Sequence, residues 1–208
     1  MSTSAPGVAE PPDRTSMIDQ NSPQALLEAG VGRSLQERRD ELARDIVGAA
    51  YLRGDFVLSS GARSTYYFDK YLFETKPTIL RRVAALMVER LPAQVDRIAG
   101  PEVGAVALAA ALSLESGLPF VIVRKTAKSY ATGRLVEGEL YPQEKVLVVE
   151  DIISTGAQAI RAAGQVRAVG AQVVGILGVI DREQDGPQRI AAAGYHFDAL
   201  FTRTQLGI

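Results

Sequence analysis

Short apolar runs alternate with helical patterns over most of the chain. Runs without charge predict strands that are buried on both faces, as in a parallel sheet, and the segments between them have the apolar spacing of helices. This alternation predicts βαβ units, hence an α/β fold with a mostly parallel central sheet flanked by helices. The predicted strands are 95–99, 120–123, 146–149, 173–180 and 197–202, and the predicted helices between them are 104–116, 158–169 and 187–193.

Helices and a hairpin are predicted before this region. Ser34 and Glu37 form a capping box that begins a helix over 35–53, which Gly54 ends. A β-hairpin is predicted from residue 56, with its turn around 60–62, and a further helix follows Pro77. A short helix is also predicted over 22–30. The length suits one domain, which we place at 21–208.

Composition excludes several classes of protein. A formal net charge of −1 gives no basic field for nucleic acid or a membrane surface, so neither is expected as a partner. No apolar run approaches the ~20 residues that span a bilayer. The chain has no cysteine, which excludes disulfides and is consistent with a cytoplasmic location. Residues 1–20 lack the pattern of a secretory signal and are predicted to be a tail that is disordered or derived from the expression vector.

The stretch from Lys145 to Gln158 carries the chemistry. An apolar run is followed at once by Glu150 and Asp151, then by a loop of small residues and a helical pattern. Loop amides and helix N-termini bind phosphate because their unpaired N–H groups point at it. Carboxylates suit sugar hydroxyls or a hydrated metal ion. A phosphorylated ribose meets both demands, and the alternative is an ordinary strand-to-helix connection.

Residues Val146 to Ala157 resemble the signature of the type I phosphoribosyltransferases, which bind phosphoribosyl pyrophosphate (PRPP). Three more segments are similar to the branch of this family that acts on orotate: the hairpin region 56–69, the tract from Arg124 to Gly138, and Asp181 with Arg182. The resemblance spans about 35–206. It implies a transferase with a small N-terminal hood at about 35–75, made of a helix and a β-hairpin, and a core at about 76–208.

The resemblance also implies the site residues, with PRPP and orotate as substrates and Mg²⁺ as cofactor without a protein ligand of its own. Lys128, Arg124 and Asp151 are the expected catalytic residues. Orotate is expected at Tyr67, Phe68, Ser154 and Arg182, although strand neighbours face opposite ways, so one of the two aromatic residues should belong to the core. PRPP is expected at Arg124, Lys125, Lys128, Tyr130, Glu150, Asp151, Ile152, Ile153, Ser154, Thr155, Gly156, Ala157 and Gln158.

The segment 126–143 is long, polar and without a helical period. Such a connection in a compact domain is often a binding loop or a lid, and the alternative is a solvated hairpin. By the resemblance it is a mobile catalytic loop that reaches the neighbouring subunit of a homodimer. The loop 100–104 follows a strand and begins a helix, and is a second candidate anion site, suited to pyrophosphate.

Three positions depart from the family pattern. Ser59 and Gly104 stand where many members have lysine, and Tyr130 stands where many have histidine. Because these changes affect the clamp on pyrophosphate and substrate, two alternatives stay open. One is a type I phosphoribosyltransferase that acts on another base. The other is a PRPP-sensing regulator without catalysis, for which the arginines of the 35–53 helix would have to supply a nucleic-acid surface.

Overall fold

The computed structural model describes residues 32–57, 61, 63–126 and 134–208 of the chain. The predicted tail at 1–20, the predicted helix at 22–30 and most of the hairpin turn lie outside the described residues. The helices and strands in chain order are α1 (Leu35–Ala50), β1 (Tyr51–Val57), β2 (Arg63–Phe68), α2 (Tyr71–Glu74), α3 (Pro77–Val88), β3 (Arg97–Pro101), α4 (Gly104–Ser116), β4 (Phe120–Val123), β5 (Val136–Glu137), β6 (Lys145–Ile153), α5 (Ala157–Ala168), β7 (Gln172–Asp181), α6 (Gly186–Ala192), β8 (Phe197–Thr202) and α7 (Arg203–Leu206).

A six-stranded sheet in the order β5-β4-β3-β6-β7-β8 confirms the predicted α/β fold. All neighbouring strands are parallel except the edge pair of β4 and β5. The predicted irregular segment 126–143 therefore contains one short strand. Parallel order brings the carboxyl ends of β3, β4, β6 and β7 to one edge of the sheet, where the loops that follow them meet.

Apolar side chains cover both faces of this sheet. One buried cluster packs helices α1, α3 and α4 against it, and a second cluster packs α5 and α6 against the opposite face. The apolar run Val146, Leu147, Val148 and Val149 is at most 2% exposed, as predicted for a strand buried on both sides. Strand β6 lies in the middle of the sheet, so its end is held rigidly by β7 and by α5.

Strand β6 extends beyond its predicted end at residue 149. Ile152 and Ile153 pair with Ile180 and Asp181 of β7, so the ladder continues past the apolar run. Glu150 and Asp151 therefore belong to the strand and not to the loop. Their backbone geometry is fixed by the sheet, which limits the directions that the two carboxylates adopt.

The helix predicted over 35–53 ends at Ala50, so its predicted end is wrong by three residues. Its start is confirmed, because Ser34 and Glu37 form the expected capping box. Tyr51 leaves the helix in an extended conformation, pairs with Phe68 of β2 and stacks on Tyr66 with ring centroids 5.4 Å apart. Strand pairing thus competes successfully with helix propensity at this end.

A single helical turn, α2, joins the hairpin to α3 and has no counterpart among the predicted elements. Phe73 of this turn is 1% exposed and anchors it in the core. The anchor brings Lys70 and Glu74 to the carboxyl edge of the large sheet. Among the described residues, no helix is both long enough and apolar enough to cross a membrane.

Candidate active site

The bend between β6 and α5 opens to solvent at the carboxyl edge of the sheet. Thr155 and Ala157 are exposed, whereas Gly156 is buried beneath them. Gly156 has a φ of +71°, and a Cβ on it would lie 2.8 Å from Ile190 Cγ1, so only glycine fits this position. Helix α5 begins at the next residue and presents its first amides without intrahelical partners. The bend therefore has the geometry of a phosphate-binding loop.

Asp151 occupies the end of β6 beside this bend and is 1% exposed. Its Oδ2 lies 2.5 Å from Lys70 Nζ, and its Oδ1 accepts a hydrogen bond of 2.5 Å from the backbone N–H of Ile152. Burial works to lower the pKa of Lys70, but the attraction of Asp151 outweighs it, so that the pKa is raised. The ammonium form of Lys70 is therefore favoured beside Asp151.

Two more carboxyl groups lie next to Asp151. Glu150 and Glu74 are each 3% exposed, and each has one buried oxygen without a hydrogen-bond partner, Oε2 of Glu150 and Oε1 of Glu74. Burial, followed by repulsion from Asp151, raises the pKa of Glu74 to about 9 and that of Glu150 to about 8. The carboxyl edge thus concentrates three acidic groups around one ammonium, with acceptor atoms left free for a ligand.

Lys70 and Glu74 are the site residues that sequence reasoning missed. They stand four positions apart, which places them on one face of a helical turn. That spacing, directly after a hairpin, is the signal the sequence offers. It is weak because α2 is only four residues long, too short for an apolar period to show.

Gly104 lies against this acidic cluster at the first position of α4. A Cβ on Gly104 would lie 1.9 Å from Asp151 Oδ2 and 2.5 Å from Lys70 Nζ. Gly104 is the departure from the family pattern at which many members carry lysine. In this chain the ammonium beside position 104 comes from Lys70 and not from a lysine at position 104 itself.

Arg124 and Lys125 end β4 next to the loop between β3 and α4. Glu102 of that loop accepts a hydrogen bond of 2.7 Å from the backbone N–H of Lys125 and lies 3.8 Å from Arg124 Nη1. Gln158 Nε2 approaches the carbonyl oxygen of Glu102 at 3.5 Å. The predicted PRPP-binding residues Arg124, Lys125 and Gln158 are therefore brought together around one loop, the second candidate anion site.

The predicted orotate residues are brought together in part. Phe68 and Arg182 line one small recess, together with Tyr66, Ile152, Ile180, Arg203 and Ile208. Tyr67 lies on the opposite face of β2, is 43% exposed and packs on Phe56 with ring centroids 5.7 Å apart. Tyr66 shares a face with Phe68 because strand side chains alternate, and it is a lining residue that sequence reasoning missed.

The other predicted site residues lie in or below the bend, or outside the described residues. Ile153 is buried beneath the bend, and Ser154 is half-buried within it. Lys128 and Tyr130, predicted in the catalytic loop, lie outside the described residues. A larger cavity, of about 840 Å³, lies away from the acidic cluster and is lined by Arg134, Tyr141 and Arg161 among others.

Comparison with known proteins adds to this geometry. A family profile described as "Phosphoribosyl transferase domain" matches residues 73–194. An orotate phosphoribosyltransferase of Pyrococcus horikoshii is 44% identical over 172 residues, which cover 81% of this chain and 92% of that protein. Crystal structures of the Mycobacterium tuberculosis orotate phosphoribosyltransferase align with TM-scores of 0.76 for its complex with Fe(III) dicitrate, at 31% identity, and 0.72 for its complex with PRPP, at 30% identity. Each alignment covers 82% of this chain and 99% of that chain.

The match covers more than half of the chain, and the relatives match over most of their own length. The chain therefore belongs to the phosphoribosyltransferase family. The relatives just described are orotate phosphoribosyltransferases, the branch of the family to which the sequence motifs point.

Proposed function

We propose that the chain transfers the phosphoribosyl group of PRPP to orotate and so gives orotidine 5′-phosphate and pyrophosphate, a step in pyrimidine nucleotide synthesis. The observation that carries the proposal is the open bend after Asp151. It combines the N-terminus of α5 with a buried acidic pair at the end of the central strand. The similarity to orotate phosphoribosyltransferases, one of them solved with PRPP, supports the same reaction.

The bend and the acidic residues divide the recognition of PRPP between them. The amides from Ser154 to Gln158 hold the 5′-phosphate, because a helix N-terminus favours negative charge. Asp151 and Glu150 accept hydrogen bonds from the ribose hydroxyls. This arrangement fixes the ribose, so that its anomeric carbon is held at a constant position and the base approaches in the geometry of the reaction.

The side chains around the small recess between β2 and β7 match the chemistry of the base. Phe68 offers an apolar face, and Arg182 at the end of β7 carries the planar guanidinium that binds a carboxylate in bidentate fashion. Orotate is a pyrimidine with one carboxylate, so one aromatic and one arginine side chain match its two features. A purine has no carboxylate to pair with Arg182, and the recess thus favours orotate over other bases.

Cations that follow β4, away from the recess assigned to the base, act on the leaving pyrophosphate. Arg124 and Lys125 lie at the end of β4, next to the loop 101–104. Breaking the bond at the anomeric carbon increases the negative charge on pyrophosphate, so cations aimed at it stabilise the transition state more than the ground state. The family resemblance assigns Lys128 to the same role, with Lys128 and Arg124 acting across a homodimer, and assigns Tyr130 to PRPP binding.

The residues present fit a magnesium ion that enters with PRPP. Mg²⁺ keeps several of its waters and is held by one or two carboxylates together with substrate phosphates, so it needs no cage of protein ligands. No such cage of three or more His, Asp or Glu side chains occurs in the part of the chain that the structure describes. Glu150 and Asp151 would hold the waters of the ion, which when bound would supply positive charge against the departing pyrophosphate.

Pyrophosphate release measured with PRPP, Mg²⁺ and a panel of bases tests the proposal. We expect release with orotate and none with uracil, which lacks the carboxylate, or with adenine. The matched variant is Arg182→Gln, which should raise the KM for orotate and leave the KM for PRPP unchanged. Release with adenine but not with orotate would assign the chain to another base, and PRPP binding without release with any base would make it a sensor.

A further inference from the structure

The ammonium of Lys70 has no role in the reaction as described so far, although it lies at the centre of the site. Lys70 comes from the turn after the hairpin, whereas Asp151 comes from the middle of the large sheet, 81 positions later in the chain. Their side chains meet at 2.5 Å. A contact between such distant segments, made within the site and not on the surface, points to a function for Lys70.

The buried carboxylate of Asp151 has a cation beside it. A carboxylate that is 1% exposed loses most of its hydration, so its burial is costly unless an opposite charge lies in contact with it. Of the residues that the structure describes, Lys70 alone brings a cation within 4 Å of the acidic cluster. The ion pair therefore fixes the direction of Asp151 Oδ2.

Gly104 provides the space for this ion pair. Any side chain at position 104 would begin with a Cβ 1.9 Å from Asp151 Oδ2 and 2.5 Å from Lys70 Nζ. Both atoms would have to move, and Asp151 is enclosed on its other sides. Lysine at position 70 and glycine at position 104 thus depend on each other. The missing side chain at the start of α4 leaves space that the ammonium of Lys70, the residue before α2, occupies.

We propose that Lys70, admitted by Gly104, is the positioning residue that holds the buried Asp151 carboxylate aimed at the ribose hydroxyls of the substrate. This inference rests on the proposed function, because it assigns Asp151 to the ribose. It also assigns a role to α2, because this turn places the ammonium of Lys70, which follows the hairpin, beside Glu150 and Asp151 of the large sheet. Lys70 itself is assigned no contact with the leaving pyrophosphate.

Two partial ligands separate positioning from direct contact. Ribose 5-phosphate carries the phosphate and the hydroxyls but no pyrophosphate, whereas inorganic pyrophosphate carries only the leaving group. In Lys70→Met we expect affinity for ribose 5-phosphate to fall by about 10- to 100-fold, the effect of one lost charge-assisted hydrogen bond, and affinity for pyrophosphate to change by less than about twofold. Titration calorimetry of the full chain measures both.

Two further variants keep the test decisive. Lys76→Met removes an exposed cation from the residue just before α3, close in sequence to Lys70, and should change neither affinity. Gly104→Ala keeps every charge but displaces the pair, and should weaken ribose 5-phosphate without adding fully to the effect of Lys70→Met in the double variant. Because Gly104 also belongs to the candidate pyrophosphate loop, pyrophosphate affinity is compared in Lys70→Met and not in this variant. If Lys70→Met fails to fold, Lys70→Gln, which also removes the charge, takes its place.

Each remaining outcome contradicts the inference. Loss of pyrophosphate affinity with ribose 5-phosphate binding intact would make Lys70 a leaving-group contact. Unchanged affinity for both ligands in Lys70→Met, or for ribose 5-phosphate in Gly104→Ala, would leave it no part in binding. These measurements use no orotate, so a wild-type chain that binds ribose 5-phosphate but fails to turn orotate over would reject the proposed reaction and leave this test standing.

Discussion

The two ends of strand β6 each carry a carboxylate paired with a cation from another element, and the two pairs are built differently. At the start of the strand, Glu144 accepts two hydrogen bonds from Arg97, of 2.7 and 2.9 Å, and a third from the backbone N–H of Tyr141 at 2.9 Å. At its end, Asp151 meets Lys70 through one contact and has two more carboxyl groups beside it.

The two pairs differ in the acceptors around them. Both oxygens of Glu144 have partners, and the guanidinium of Arg97 also lies 5.9 Å from the ring centroid of Tyr141. Glu150 and Glu74 instead keep one buried oxygen each without a partner. Buried polar atoms are normally hydrogen-bonded, so those left free point to a ligand that completes them. The same strand thus has one end built for stability and one end built for binding.

The largest effect is expected from substitution at the binding end of β6, and it should be an effect on activity. Asp151→Asn removes a charged acceptor of the ribose hydroxyls, which costs about 1.5–3 kcal/mol, or about 10- to 150-fold in kcat/KM for PRPP. The melting temperature should fall only slightly, because asparagine keeps an oxygen that accepts a hydrogen bond from the Lys70 ammonium, which is 28% exposed. Steady-state kinetics and a thermal melt measure the two quantities. A variant with kcat/KM near that of the wild type would remove Asp151 from the site.

Substitution at the other end should reverse that pattern. Arg97→Met leaves Glu144, which is 19% exposed, without its main partner. We expect a loss of about 2 kcal/mol in the free energy of unfolding, or about 4–8 °C in the melting temperature. The kcat/KM at 25 °C should stay within about twofold of the wild type, because the substitution is at the opposite edge of the sheet. A large fall in kcat/KM without a fall in stability would contradict the division between the two ends.

The features of the fold and of the site differ in how far the sequence predicts them. The apolar runs predicted the strands, and both predicted bounds of α4, β4 and β8 are confirmed. Gly117 and Pro119 separate α4 from β4. The bend after Asp151 was predicted from its small residues and adjacent acids. Local pattern is sufficient where one segment builds the feature.

Features that depend on two distant segments could not be predicted in this way. Lys70 meets Asp151 across 81 positions, and Gly104 matters because of atoms from both. The end of α1 was wrong because Tyr51 pairs with a strand that lies beyond the hairpin turn. In each case the deciding partner is close in space and distant in sequence, so a tertiary contact overrides local propensity.

Stability should respond to pH in opposite directions at the two ends. Burial raises the pKa of Glu74 to about 9, so the folded chain holds a proton that the unfolded chain releases above pH ~4.5, and stability falls as pH rises through this window. Hydrogen bonds from Arg97 lower the pKa of Glu144, so its contribution is present above the unfolded value and is lost as pH falls through the folded one.

The matched variants Glu74→Gln and Glu144→Gln separate these contributions. Relative to the wild type, Glu74→Gln should gain stability as pH rises from about 5 to 9, by on the order of 1 kcal/mol. Glu144→Gln should lose stability at neutral pH and approach the wild type in acid. Urea unfolding at a series of pH values measures both, and parallel curves for the two variants would show that the two ends do not differ.

The smallest effect on stability is expected when an exposed ion pair is broken. The pair of Arg90 and Asp198 lies at the same edge of the sheet as the pair of Arg97 and Glu144 but is less buried. Arg90 Nη1 lies 2.8 Å from Asp198 Oδ2, near the start of β8, and the two side chains are 38% and 40% exposed. Water already solvates both charges, so Arg90→Gln should cost about 0.5 kcal/mol or less and leave kcat/KM unchanged. Urea unfolding beside Arg97→Met measures the difference. A cost equal to that of Arg97→Met would mean that charge pairing as such, and not the burial and full hydrogen bonding of Arg97 and Glu144, stabilises the amino edge of the sheet.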